Sequence, residues 1–159
     1  MKRIPLCGRN GVGKFALVNN ADYRRFTEFR WYFKCGYAFR VIKGEVKNRI
    51  VYLHRAILDA TSGIEVDHIN RDGLDCRRKN LRHATRLQNI LNAGPRKNGA
   101  SKFKGVEANR KKWRARIRLD GVRVNLGTFD TEEQAALVYN KHAKKLFGEF
   151  AYINQVEVS

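Results

Sequence analysis

The sequence predicts an α+β protein in two parts: short strands and helices around a strand–loop–strand–helix unit, then a three-stranded antiparallel sheet packed on one helix. Three observations predict it. The run Ile64-Glu65-Val66-Asp67-His68-Ile69 alternates as a strand does, and the polar stretch after it, with Gly73 inside, is a long turn. A second short strand at 81–84 is followed by a capping box, Thr85 with Gln88, opening a helix that Gly94 and Pro95 end. Farther on, Trp113, Ala115, Ile117 and Leu119 alternate with Arg114, Arg116 and Arg118, and Thr131 with Gln134 caps a helix ending at Gly148.

At the start, residues 8–14 read GRNGVGK and match the phosphate-cradling pattern GxxxxGK. The context does not fit that loop. Phe15 stands where Ser or Thr should hold Mg²⁺, no buried strand is expected before Gly8, and FALV continues as a strand instead of a helix. A glycine-rich hairpin turn is the better expectation. Asn20 or Asp22 then caps a helix over 22–29, whose Tyr23, Phe26 and Phe29 recur at helical spacing and belong in the core. Strands follow at 31–33, 37–42 and 50–53, punctuated by Gly36 and Gly44, and a short helix spans 54–60. Arg40, Lys43, Lys47 and Arg49 stand either on a solvated face or against phosphates.

The chemistry concentrates in the strand–loop–strand–helix unit. Asp67 and Asn89 offer a carboxylate and a carboxamide oxygen, hard ligands suited to one Mg²⁺ or Mn²⁺ that keeps its remaining positions for water and phosphate. His68, adjacent, has the side chain best suited to take a proton from water near neutral pH.

A formal charge of +18, with 33 Lys+Arg against 15 Asp+Glu, repels itself unless a polyanion neutralises it. Double-stranded DNA is the expected partner. Residues 1–96 carry 20 basic against 8 acidic side chains and 97–159 carry 13 against 7, so both halves are expected to touch the backbone. Cys7, Cys35 and Cys76 are isolated and odd in number, which argues against a disulfide framework or a zinc site and for a reducing cytoplasm. No apolar run is long enough for a membrane span, and neither a signal segment nor a small-molecule cofactor is expected.

Residues 94–101, GPRKNGAS, form a linker by composition, and Arg96 and Lys97 in it can lie along DNA. It separates a domain at 1–93 from one at 102–159. In the second, strands at 103–108, 113–119 and 122–126 are joined by an Asp120-Gly121 hairpin turn before the final pair. Ala135, Tyr139, Ala143 and Leu146 of the following helix cover the apolar face. Arg114, Arg116, Arg118, Arg123 and Asn125 are left on the other, where a twisted ribbon suits the major groove, Arg addressing guanine and Asn adenine.

Asp67-His68, Asn80 twelve positions later and Asn89 nine after that resemble the HNH nuclease motif. With LHRAI at 53–57 and VDHINRDGLDCRRKNLRHATRLQN, residues 4–92 resemble the phage-type HNH homing endonucleases, whose nuclease fold is the ββα-metal unit. The resemblance implies that His68 activates the attacking water, Asp67 and Asn89 hold one divalent metal, and Asn80 braces the loop that aims His68. Products ending in 3′-hydroxyl and 5′-phosphate are implied as well, in a phage or its bacterial host. His54 and Arg55, in the LHR phrase, are implied support, and His83 is an exposed strand residue or a phosphate contact. Cys76 stands where the family more often has Asn, and Arg71 where Gly is frequent; neither is expected to touch the chemistry. Residues 103–154 resemble the plant APETALA-type (ethylene-responsive-factor-like) DNA-binding domain, which implies DNA contacts at Lys104, Arg116, Arg118, Arg123 and Asn125. Glu107 and Asn109 stand where the plant domains carry arginines, and Asn125 where they carry Trp, so the docking face carries over and the target sequence does not. The expected activity is that of a site-specific DNA endonuclease, monomer or homodimer. The alternatives are a DNA-binding regulator with an inactive nuclease domain and a nonspecific HNH nuclease.

Overall fold

The computed structural model describes residues 1–96 and 98–157; Lys97, expected in the linker, lies outside them. The chain packs as two compact units, Met1–Asn89 and Ile90–Ser159.

In the first unit, β1 (Lys2–Cys7), β2 (Phe15–Val18), β3 (Trp31–Lys34), β4 (Tyr37–Ile42) and β5 (Arg49–Tyr52) form one sheet in the order β2-β1-β3-β4-β5. β1 pairs antiparallel with β2 as far as Pro5 and then parallel with β3 from Leu6. Proline, having no N–H to donate, falls where the ladder changes partner. The strand therefore exists before Gly8, contrary to the sequence expectation, with Ile4 and Leu6 buried. Residues 8–14 are still a turn, because β2 and not a helix follows them.

Helix α1 (Asn20–Phe26) ends sooner than its aromatic spacing suggests. Phe26 is buried, but Phe29 lies beyond the helix, 40 % exposed, with the Arg40 guanidinium 3.7 Å from its ring. Arg40 is thereby half-buried against aromatic surface, whereas Lys43, Lys47 and Arg49 are exposed. Trp31 anchors the core. It is fully buried, its Nε1 donates to the Phe26 carbonyl at 2.9 Å, and its ring meets that of Phe26 edge-on. Ile4, Leu6, Val18, Leu53, Ile57, Val66, Cys76 and Leu81 complete the cluster.

Helix α2 (Leu53–Ile57) leads to the antiparallel pair β6 (Glu65–His68) and β7 (Leu81–Ala84), and α3 (Arg86–Asn92) follows. The capping box forms: Gln88 N–H donates to Thr85 Oγ1 at 3.2 Å, and Thr85 N–H to Gln88 Oε1 at 2.8 Å.

The second unit holds β8 (Val106–Asn109), β9 (Lys112–Leu119) and β10 (Val122–Phe129), antiparallel in the order β10-β9-β8, and α4 (Glu132–Phe147). Asp120 and Gly121 both have positive φ, 48° and 82°, as a type I′ hairpin turn requires. Ala135, Ala136, Tyr139 and Ala143 are buried, and the small side chains of the three alanines let α4 lie close to the sheet. Gly105 permits that approach, since a Cβ there would meet the Tyr139 ring at 2.0 Å. Leu146 does not cover the sheet as expected; it is 42 % exposed, and Phe147 packs beside Ile117, Tyr139 and Ala143 instead. Ser101, placed by composition in the linker, is buried with its hydroxyl bonded to Glu132.

Trp31→Ala removes the largest buried side chain of the first unit and its hydrogen bond, and should cost about 3–5 kcal/mol. The shift in the urea midpoint at unchanged m-value measures it.

Candidate functional site

The first unit builds its site on the β6–β7 pair. Asp67 sits opposite Arg82 and His68 opposite Leu81. Asp67 is 4 % exposed, and Arg82 donates to its Oδ2 through Nε at 2.9 Å and Nη2 at 2.7 Å. Removing one partner of so buried a pair strands the other charge.

Asn80 closes the loop between the strands. Its Nδ2 donates to Asn70 Oδ1 at 2.9 Å and to the Asp75 carbonyl at 2.8 Å, and its Oδ1 accepts from the Asn70 N–H at 2.9 Å. Both donors and the oxygen of one buried amide are thus engaged on the loop that starts at His68. Asp75 is buried, bonded by Asn70 and paired with Arg77, whose guanidinium lowers its pKa. The loop is also docked: Leu17 N–H donates to the Leu74 carbonyl, Asn19 Oδ1 accepts from Arg78 N–H, and Arg78 grips the buried Asp22. Arg71 takes a positive φ of 67°, a conformation glycine adopts more easily, while its N–H donates to the His68 carbonyl.

His68 is 5 % exposed, under a ring cluster that the sequence did not signal. Its ring lies 4.9 Å from that of His54, edge to face, and 5.7 Å from that of Tyr37. Burial lowers its pKa, opposed by Asp67, Asp72 and Asp75. His54, stacked on Tyr52, is pushed down to about 3 by burial, with His68 and Arg55 adding to the effect, and its buried Nδ1 has no hydrogen-bond partner among the described residues. Cys76 does touch this centre, contrary to expectation, with Sγ 4.0 Å from His68 Nε2. Burial pushes its thiol up to about 12, so it stays a neutral neighbour and not a competing nucleophile. Arg55 donates to the carbonyls of Ile64, Thr61 and Ala60, and so fixes the turn that feeds β6.

Asn89 reaches the pair from α3, its Nδ2 donating to Glu65 Oε2 at 2.7 Å. Glu65 and Asp67 are two apart on β6 and share a face, so the amide comes to the face of the strand that carries Asp67. Glu65 and Arg82 are residues that sequence reasoning passed over. The first was legible in the i, i+2 acidic spacing, the second once the hairpin register is written out.

In the second unit the arginine face is partly occupied. Glu107, opposite Arg114 on β8, pairs with Arg114 at 3.5 Å and Arg116 at 3.1 Å. Arg118, Arg123 and Asn125 are exposed, with Arg118 and Arg123 directly opposite each other. Lys104, a DNA contact by resemblance, is engaged within the chain. Its ammonium donates to the carbonyls of Ile90, Leu91 and Ala93 at 3.1, 2.7 and 2.7 Å, serving the end of a helix, where lysine commonly caps carbonyls.

A short strand pair, a braced loop and a helix thus carry Asp67, His68, Asn80 and Asn89 within one small unit. A family model described as HNH endonuclease matches residues 51–91. An uncharacterized HNH endonuclease of Acanthamoeba polyphaga mimivirus is 35% identical over 155 residues, 96% of this chain and 80% of that protein. The chain belongs to the HNH endonuclease family. Dehydration-responsive element-binding protein 2D of Arabidopsis thaliana is 35% identical over 88 residues, 54% of this chain and 43% of the plant protein. Protein 2C of the same plant is 41% identical over 69 residues, 42% and 20% of the two chains. These plant matches fall in part on the C-terminal region. No solved structure matches the chain.

His54 gives the fold a pH dependence. Its folded pKa, about 3, lies below the unfolded value near 6.5, so the unfolded chain binds a proton that the folded one refuses. The stability this residue contributes is complete above pH 6.5 and is lost as the pH falls towards 3, at up to about 1.4 kcal/mol per pH unit. Urea unfolding of His54→Leu between pH 7 and 4 should show a slope shallower by one proton than that of the unsubstituted chain.

Proposed function

We propose that this HNH family member is a DNA endonuclease that hydrolyses one phosphodiester with His68 as general base and a single Mg²⁺ or Mn²⁺ held by Asp67 and Asn89. The observation that carries it is the return of Asn89, through Glu65, to the strand face bearing Asp67, next to a histidine whose loop is tied at both ends by Asn80. The donor set suits such an ion: two hard oxygens from protein, a carboxylate and a carboxamide, leave the remaining positions to water and phosphate. When bound, a divalent cation supplies positive charge for the phosphate and for the leaving oxygen.

The protein's own residues do the rest. Burial keeps the His68 imidazole neutral at physiological pH, the state that accepts a proton. Once it is protonated, Asp67, Asp72 and Asp75 favour the imidazolium, since their charges act on it in the direction opposite to burial. Asn80 holds the loop so that the base does not reorganise during the step. Arg118, Arg123 and Asn125 of the second unit grip DNA; like charges facing each other across two strands are unfavourable until a polyanion lies over them. Linking that grip to the nuclease unit raises the local concentration of substrate and gives the homing-type site choice.

One observation favours a second reading, a DNA-binding protein whose nuclease unit is inert: Arg82 already holds the Asp67 carboxylate. Cleavage of supercoiled plasmid with Mg²⁺ decides between them. The endonuclease loses about 10²–10⁴-fold in rate on His68→Ala with DNA binding retained, as removal of a general base implies, whereas the inert protein binds and cuts nothing in either form. The acid limb of the pH–rate profile should fall below pH 6.5, because the His68 pKa is lowered and activity requires the unprotonated ring. Arg118→Ala/Arg123→Ala should weaken binding and reduce the salt slope by about 2 if each arginine neutralises one phosphate; an unchanged slope would remove this face from the DNA contact.

A further inference from the structure

We infer that Glu65 is a positioning residue for the metal site: it selects which end of the Asn89 amide faces the ion. The inference rests on Asn89 being a ligand, as proposed above, and adds a residue whose role is to orient it. An asparagine side chain has a donor end and an acceptor end of nearly the same shape, and only the oxygen can bind a divalent cation. A carboxylate has acceptors alone. Facing Glu65 Oε2 at 2.7 Å, the amide must present Nδ2 to it, which turns Oδ1 the other way.

The surroundings hold the pair in place. Glu65 is fixed in β6 opposite Ala84, and Asn89 stands one turn into α3, where its N–H donates to the Thr85 carbonyl at 3.0 Å behind the capping box. Backbone position on both sides is therefore set before the side chains meet. Asn89 Oδ1 carries no hydrogen bond among the described residues, and Glu65 is half-buried, so water competes less for the pair than at an open surface. Partners that orient metal ligands in this way are worth roughly 10–100-fold in metal affinity.

Three variants of the full chain separate orientation from charge and from packing. Glu65→Gln keeps an acceptor of the same length and removes the charge; Glu65→Met keeps the volume and removes the acceptor; Asn89→Ala removes the ligand. Binding of Mn²⁺ is read by the loss of the free-ion electron paramagnetic resonance signal without DNA, and the Mg²⁺ concentration for half-maximal plasmid cleavage is read alongside it. Glu65→Met should weaken Mn²⁺ binding by about 10–100-fold and raise the Mg²⁺ requirement in proportion, Glu65→Gln should stay near the unsubstituted protein, and Glu65→Met/Asn89→Ala should be no worse than Asn89→Ala. Glu65→Ala gives the same comparison if the Met variant does not fold. A Met variant that binds Mn²⁺ normally, a Gln variant as weak as Met, or additive losses in the double variant overturns the inference while leaving the ligands in place. If the unsubstituted chain neither binds Mn²⁺ nor cuts DNA, the ligand assignment fails, and the role of Glu65 fails with it.

Discussion

The structure depends on how the polar loop between β6 and β7, residues 69–80, is held beside a buried histidine. Buried polar groups must be bonded or they cost free energy, and this loop leaves few to chance. Asn80 bonds both arms of it, Asp75 accepts from Asn70 and pairs with Arg77, and Arg78 reaches the buried Asp22 of α1. Because Leu74 also meets Leu17, the five-stranded sheet serves as the floor on which the β6–β7 loop rests. The N-terminal half of the chain, with no catalytic candidate before His54, is thereby part of the site.

Charge is used in the same sparing way. With 15 acidic residues against 33 basic ones, most acids could be lost in a uniform positive field. Instead several act as clamps. Asp22 holds Arg78, Asp67 holds Arg82, Asp75 holds Arg77, and Glu107 holds Arg114 and Arg116. Arginines so held are oriented and partly neutralised, and the remaining surplus lies on exposed side chains such as Arg118 and Arg123. Where the plant domains carry arginine, Glu107 thus moves the accessible charge of the sheet towards the Asp120-Gly121 end.

Local chemistry was legible in the sequence, and proximity was not. The capping boxes at Thr85 and Thr131 and the Asp120-Gly121 turn each follow from hydrogen bonds within a few residues, and each is found; the strand at 81–84 is found too, paired with β6 across the loop. Periodicity overreached where an element stopped early. Phe29 keeps the helical spacing of Tyr23 and Phe26 after α1 has ended, and Leu146 keeps that of α4 where Phe147 takes the last apolar contact. Pro5 concealed β1, because a proline inside a strand argues against it unless the ladder changes partner there. Lys104 has surroundings that its position in the sequence does not reveal. Resemblance transfers a position in a fold, but the three carbonyls that occupy its ammonium belong to the end of α3 and the residue after it, outside the stretch that resembles the plant domain.

The ring cluster around His68 ties stability to chemistry. Two histidines 4.9 Å apart between Tyr37 and Tyr52 cannot both hold a proton at low cost, so the fold favours the neutral pair. His54 is the more deeply suppressed, having no carboxylate to offset burial, whereas His68 faces Asp67, Asp72 and Asp75. The difference separates the two rings: burial holds His54 unprotonated, whereas His68 has nearby carboxylates that favour its imidazolium, as the proposed role of proton acceptor requires. Exchanging their surroundings would exchange their protonation behaviour, since nothing in the imidazole itself distinguishes them.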